Sequence, residues 1–384
     1  MVAGVDVPIT WHGRRATAFV PSLLADRDLG LDAPTATRTG EAVAEVVRAA
    51  ETLDLEYEPL ARLLLRSEGV ASSHIEGISA PVLDVVLAEE GRARADDAAA
   101  AWVAAALAAM IAAIDDAASG DVALDVDALC RWHRLLMTGS PTPERYVGRI
   151  RDEQGWIGGT SPFDAHLVTP PADRLPPLLR DLLAWVNRDD VDPIAQAAIA
   201  HAQFEIMHPF ADGNGRIGRV LIAWILVRRL ALLVPPPVSV AIAADVGGYA
   251  AGLVRFRVDD HLGWVRWFAA AVSGGGRAQR QLVERVDDLR VEWHARLTGT
   301  GLRRDAVAYR ALTLLPRHLL LTSTVLVDEL GVSTKAALDA LRALADAGVL
   351  TEHGTAPPVS RGQPARLYVA RELLGLAGAT SSRA

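Results

Sequence analysis

The sequence predicts a mostly α-helical protein with a short β-hairpin near its middle and a small helix-and-strand module at its C-terminal end. Three observations carry that expectation. Apolar residues recur at helical spacing over most of the chain. Glycines interrupt a β-branched and aromatic stretch between Arg145 and Val168. Thr298-Gly-Thr-Gly301 then reads as a linker to a last segment with its own pattern. At 384 residues the chain exceeds one ordinary domain.

In chain order, residues 1–40 read as irregular, apart from a β-like stretch from Ala16 to Val20. Helices are expected from about Thr39 to Arg66 and from Pro81 to Glu90. Residues 98–114 are all apolar, eleven of the seventeen being Ala, with Val103, Leu107, Met110 and Ile114 on one helical stripe. The run is shorter than the ~20 residues of a membrane span, and aspartates rather than Lys or Arg flank it. A buried core helix is expected, and no membrane association. Arg145 to Val168 reads as a hairpin. Leu178, Leu179, Leu182, Leu183 and Val186 form the stripe of a following helix. Another helix spans Asp192 to Met207, and one begins near Asn214 and stops at Pro235-Pro236-Pro237. Ser273-Gly274-Gly275-Gly276 is expected to break the packing before a charged helix that ends near Leu297. The expected parts are therefore 1–97, 98–276, a connecting helix and linker at 277–300, and 301–384.

With 51% hydrophobic and 22% charged residues the chain falls in the globular class. Its one cysteine, Cys130, excludes an internal disulfide. That, with no cationic start followed by an apolar block, leads us to expect a cytoplasmic protein. The net charge is −8, yet the part from Gly301 onward has 10 Lys+Arg against 7 Asp+Glu. An acidic body disfavours nucleic acid as main partner, while the basic tail leaves DNA open.

The densest chemistry lies in His208-Pro-Phe-Ala-Asp-Gly-Asn-Gly-Arg-Ile-Gly-Arg219. Gly213-x-Gly215-x-x-Gly218 satisfies a dinucleotide fingerprint only formally, because a helix rather than a strand precedes it. No Gly-Lys-Ser/Thr follows, which excludes a P-loop. Asp212-x-Asn214 lacks the further acidic ligands of an EF-hand. The remainder is a loop between two helices, the second opening at Asn214 or Gly215 with free amides and a positive dipole end. Glycines beside Asn214 admit a phosphate closely. Arg216 and Arg219 share a face and suit polyphosphate. Asp212 offers a hard oxygen for Mg2+, and His208 an imidazole for proton transfer. His201, seven residues earlier, reads as a core or supporting histidine.

These residues match the signature of the Fic family, His-Pro-Phe-x-Asp-Gly-Asn-Gly-Arg-x-x-Arg, at every fixed position. The resemblance implies an all-α Fic fold with a β-hairpin flap, and transfer of AMP from Mg-ATP to a Ser, Thr or Tyr hydroxyl of a target protein or of the chain itself. It makes His208 the general base, Asp212 the Mg2+ ligand and Phe210 the buried anchor of the loop. Gly213, Asn214 and Gly215 become the anion hole, and Arg216 and Arg219 the triphosphate clamps. A kinase-like branch carries lysine where this chain keeps Gly215, so nucleotidyl transfer is implied. Tyr249 is implied beside the adenine, where the family commonly has two adjacent aromatics and this chain has Gly248-Tyr249. A homodimer is left open.

Ser72-Ser-His-Ile-Glu76-Gly77 resembles the family's inhibitory motif through Ser72, Glu76 and Gly77. A carboxylate on Arg219 would take that guanidinium from the γ-phosphate; positioning of water to remove AMP from a modified target is the other role open to Glu76. The alternative is structural, since Ser73-x-x-Glu76 has the form of a helix capping box. Trp156-Ile157-Gly158-Gly159, with Gly148 to Arg151, resembles the flap that holds a target segment by strand addition.

At the C terminus, Thr322–Leu330, the turn Gly331-Val332-Ser333 and Thr334–Ala347 read as helix–turn–helix. Arg361 to Val369 reads as a wing with its return strand. The pattern is similar to winged-helix domains. Leu338, Leu341 and Ala345 are expected on the buried face of the second helix, and Lys335, Asp339, Arg342 and Asp346 on the exposed one. The alternative function is thus a winged-helix transcriptional regulator that binds DNA and senses nucleotide through its Fic core.

Overall fold

The computed structural model describes residues 4–53, 57–92, 97–120, 122–356 and 365–378. The chain begins with an antiparallel hairpin of β1 (Gly4–Trp11) and β2 (Arg14–Pro21), so the expectation of an irregular start is corrected. Its two-residue turn is His12-Gly13, both at positive φ (46° and 76°). Such turns follow the right-handed strand twist.

Helix α1 (Ala33–Ala50) starts at Asp32, whose carboxylate accepts the Thr35 amide, and α2 runs over Tyr57–Ile75. The single helix expected from Thr39 to Arg66 is therefore two. Residues 41–56 hold no Gly or Pro, but Pro59 stands in the first turn of α2, where proline marks a helix start rather than an interior. The two helices separate because they serve different partners: α1 lies against the long helix near residue 279, while α2 turns inward. Next come α3 (Val82–Glu89), α4 (Ala98–Ala118) and α5 (Val126–Leu136). Val103, Leu107, Met110 and Ile114 of α4 are all buried, and α4 packs against α2, α3 and α5. Among the described residues α4 is the one helix long and apolar enough to cross a membrane; here it is a core helix.

A two-residue-per-strand hairpin pairs β3 (Trp156–Ile157) with β4 (Leu167–Val168). Helices α6 (Leu175–Val186), α7 (Pro193–Met207) and α8 (Asn214–Leu230) follow. Every residue of α7 from Ile194 to Met207 is buried, as is α8 from Asn214 to Val227, so this antiparallel pair is the centre of the larger core. Helices α9 (Val238–Ala243) and α10 (Val246–Arg257) lead into α11 (His261–Gly299). The break expected at 273–276 is absent: α11 runs through it for 39 residues. A Cβ at Gly275 would meet the Pro237–Val238 backbone at 3.1 Å, and one at Gly276 the Glu45 side chain at 3.0 Å. These glycines serve close helix packing, not interruption.

The last segment has α12 (Val307–Leu312), β5 (Leu320–Leu321), α13 (Ser323–Leu330), α14 (Thr334–Asp346), β6 (Thr351–Ala356), β7 (Ala365–Val369) and α15 (Arg371–Gly378). The strands form one antiparallel sheet in the order β5-β7-β6. The helix–turn–helix falls where expected, but α14 is rotated: Ala337, Ala340, Leu341 and Leu344 are buried, while Leu338 and Ala345 are only half-buried. Arg361 to Pro364, the first part of the expected wing, lie outside the described residues. A second core joins this segment to the end of α11 through Val286, Leu289, Trp293 and Leu297, and also takes in Leu60 and Leu63 of α2.

Candidate functional site

The loop between α7 and α8 is closed from within by Asn214. Its amide oxygen accepts the Phe210 N–H at 2.8 Å and its amide nitrogen donates to the Phe210 carbonyl at 2.8 Å. Phe210 is fully buried and stacks on His133 with ring centroids 4.0 Å apart. Gly213 takes φ 73° just ahead of the first turn of α8, a left-handed conformation that glycine adopts without strain. The free amides of α8 therefore open into the loop.

His208 ends α7 at φ 48°. Its Nδ1 lies 3.2 Å from the Glu205 carbonyl, which assigns the proton to Nδ1 and leaves Nε2 as acceptor. Burial lowers its pKa to about 4, so the ring is neutral at pH 7. Arg151 holds this strained corner: Nε donates to the His208 carbonyl at 2.8 Å, and Nη2 to Thr169 Oγ1 and the Pro170 carbonyl. One guanidinium thus ties the loop to the two residues directly after β4, the second strand of the flap. Asp212 is exposed; Oδ2 accepts from the Thr142 hydroxyl at 3.0 Å and Oδ1 from the Gly213 amide at 2.7 Å. His133 fixes the same residue from behind, accepting the Gly148 amide at Nδ1 (2.8 Å) and donating from Nε2 to the Asp212 carbonyl (3.0 Å).

Glu76 comes to this loop from α2. Arg219 donates from Nη2 to Glu76 Oε1 at 2.8 Å and to the Ser72 carbonyl at 2.8 Å, and from Nε to the Ser72 hydroxyl at 2.8 Å. Burial opposes the Arg219 charge, but Glu76, Tyr249 and Glu205 outweigh it and its pKa rises. Ser72 to Gly77 terminate α2, so the capping-box reading fails: Ser73 is no N-cap, and its buried hydroxyl has no partner. A Cβ at Gly215 would overlap the Glu76 carboxylate.

Two cavities meet at Glu76. The larger, about 610 Å³, is bounded by His208, Glu205, Gly215, Tyr249, Ile157 and Leu167. The smaller, about 160 Å³, is bounded by Asp212, Gly213, Arg216 and Trp102. Tyr249 forms part of the larger wall, with its hydroxyl 2.9 Å from His201 Nε2. Glu205 is buried beside it, with its carboxyl pushed up to about 8 by burial and by Glu76. Of the flap residues, Ile157 faces the larger cavity, Trp156 packs edge-on to Trp11 with centroids 5.3 Å apart, and Gly158 and Gly159 turn the hairpin at φ 70° and 68°.

Mg2+ fits the smaller cavity on the chemistry of its donors. It prefers one or two carboxylates completed by phosphate oxygens and water, and Asp212 supplies one exposed carboxylate beside a phosphate-sized space. Among the described residues no cluster of three or more His, Cys, Asp or Glu is gathered for a metal.

The structure places His208 to Arg219 between the end of α7 and the first turns of α8, with Glu76 against them. The sequence pattern missed His133, Thr142 and Glu205, and it placed Arg151 on the flap without its bridge to His208. Their distances in sequence carried no local signal, although Glu205 lies one helical turn before His208 on the same face.

A loop closed by an asparagine between two buried helices, with an imidazole at one end and helix amides at the other, is the arrangement the Fic signature implies. Residues 123–226 match the Fic/DOC family, and the chain carries a Fic domain. Over 108 residues it is 33% identical to protein adenylyltransferase fic-1 of Caenorhabditis elegans, covering 27% of this chain and 20% of that protein. Over 110 residues it is 34% identical to protein adenylyltransferase Fic of Drosophila erecta, covering 28% of this chain and 20% of that one. The chain thus spans about a fifth of the length of these relatives. A Fic family protein from Desulfovibrio desulfuricans shares the fold, with TM-score 0.54 and 24% identity over 90% of this chain and 98% of that chain.

Proposed function

We propose that this protein transfers AMP from Mg-ATP to a protein hydroxyl, its own included, and that Glu76 restrains the reaction. One observation carries the reading. The Glu76 carboxylate sits at the mouth of α8, over Gly215 and paired with Arg219 at 2.8 Å, in the seat a phosphate anion would take.

The chemistry follows from the residues. Adenine and ribose occupy the larger cavity against Tyr249 and the flap. The α-phosphate lies on the amides of α8, and Arg216 and Arg219 hold the outer phosphates. His208 Nε2 takes the proton from the target hydroxyl as its oxygen bonds the α-phosphorus. The α–β phosphoanhydride bond breaks and pyrophosphate leaves. Helix amides aimed at the developing charge contribute roughly 3 kcal/mol per donor in sites of this kind. Asp212 would hold Mg2+, which when bound neutralises phosphate charge. The target segment lies along the flap. The exposed face of α14 lends no support to DNA reading, because Asp339 and Asp346 interleave with Lys335 and Arg342, and Asp339 pairs with Arg342 at 3.3 Å.

The test is intact mass after incubation with Mg-ATP. Glu76→Gly gains a single AMP increment above wild type, and Glu76→Gly/His208→Ala gains none. Absence of the increment in the first variant, or its persistence in the second, overturns the reading.

A further inference from the structure

Helix α2 belongs to both hydrophobic cores. Leu60 and Leu63, near its start, are buried among α11, α12 and the C-terminal sheet, whereas Leu64, Leu65 and Val70 are buried in the Fic core. Its final turn carries Ser72, and Glu76 directly after the helix, onto Arg219. Between these ends sits Arg66, only 6% exposed. Its Nε donates to Glu89 of α3 at 2.8 Å, and its Nη1 donates to the carbonyl of Arg317 in the C-terminal segment at 2.9 Å. Helix α15 also packs against α2 and α3.

We infer that the C-terminal module sets the position of the inhibitory glutamate through Arg66, so that displacing this module releases the active site. The inference rests on the proposed inhibitory role of Glu76. Six residues separate Arg66 from Ser72, about 9 Å along a helix axis. A helix transmits displacement over that distance as a rigid body, and interfaces of packed helices shift by 1–2 Å in known switches. The Arg219–Glu76 contact at 2.8 Å does not survive a shift of that size. The grip is also directional. Arg66 touches neither the cavities nor the loop, so its removal acts on the site only through α2. Ser72, whose hydroxyl and carbonyl both receive Arg219, moves with Glu76. The module thereby acts as the input, and a ligand that binds it better when α2 has shifted activates transfer. Arg66 is a positioning residue in this scheme.

The test combines Arg66→Gln with Glu76→Gly in the full chain, reading AMP self-labelling and amide hydrogen exchange. With Glu76 present, Arg66→Gln raises labelling on the order of tenfold. With Glu76→Gly it raises labelling no further, since nothing remains to release. Exchange at the amides of Glu76, Gly77 and Ile78, which bond back to Ser73 and His74, rises in Arg66→Gln whether or not any AMP is transferred. Glu89→Gln reproduces both effects. Unchanged labelling and unchanged exchange in Arg66→Gln overturn the inference, as does an equal fall of labelling in both backgrounds. If no variant labels at all but exchange responds, the coupling stands and the transferase reading fails.

Discussion

The carboxylate of Glu76 fills the space that any side chain at Gly215 would require. On the proposed reading this glycine has two tenants, a phosphate in the working state and the glutamate in the resting one. Gly215→Ala evicts both. We expect it to abolish AMP transfer even in the Glu76→Gly background, where Glu76→Gly alone is active. Labelling of the double variant by α-labelled ATP checks this, and activity equal to Glu76→Gly refutes it.

Asn214 satisfies both backbone groups of the buried Phe210. Asn214→Ala leaves a buried donor and a buried acceptor unpaired, at a cost of roughly 2–4 kcal/mol. Urea unfolding of the variant should show that loss, with activity falling as the loop loosens.

Arg151 acts at a distance from the reacting atoms. Lysine cannot reproduce a planar fork shared between His208, Thr169 and Pro170. In the Glu76→Gly background, Arg151→Lys is expected to lower kcat on the order of 10–100-fold, with KM for ATP little changed. A rise in KM with intact kcat would assign Arg151 to nucleotide binding instead.

Two sets of buried groups give the stability opposite pH slopes. His133, His201 and His208 have pKa values lowered by burial to about 4, 3 and 4. The unfolded chain binds their protons first, so stability is lost as pH falls from about 6.5 toward 4. Glu68 and Glu205 are raised by burial to about 7 and 8. The folded chain keeps those protons longer, so stability is lost as pH rises from about 4.5 to 8. Glu205→Gln removes the larger part of that alkaline loss. Its Tm relative to wild type should improve between pH 5.5 and 8.5, and a difference independent of pH would contradict the buried acid.

What the sequence disclosed follows from how far apart the interacting residues lie. His208 through Arg219 are one loop and the first turns of α8, so their chemistry is written in adjacent letters. Stripes such as Leu178 to Val186 disclosed whole helices for the same reason. The N-terminal hairpin was hidden because its turn is His12-Gly13 rather than Asn-Gly. The α1–α2 junction carries a single mark, Pro59 in the first turn of α2. Gly274 to Gly276 misled in the other direction: glycine that permits close approach looks, in sequence, like glycine that ends a helix. His133 and Arg151 support the loop from 57 to 79 residues away, and no periodicity reaches that far.

The length of α11 has a consequence for how the molecule comes apart. Its first half is walled into the Fic core by Trp264, Phe268 and Val272, and its second half presents Val283, Val286, Leu289, Trp293 and Leu297 to the other core. A polypeptide ending near residue 300 would carry that second stripe bare to water, an adhesive ridge inviting aggregation. The two cores share a single beam, and heating should collapse them in one transition rather than two.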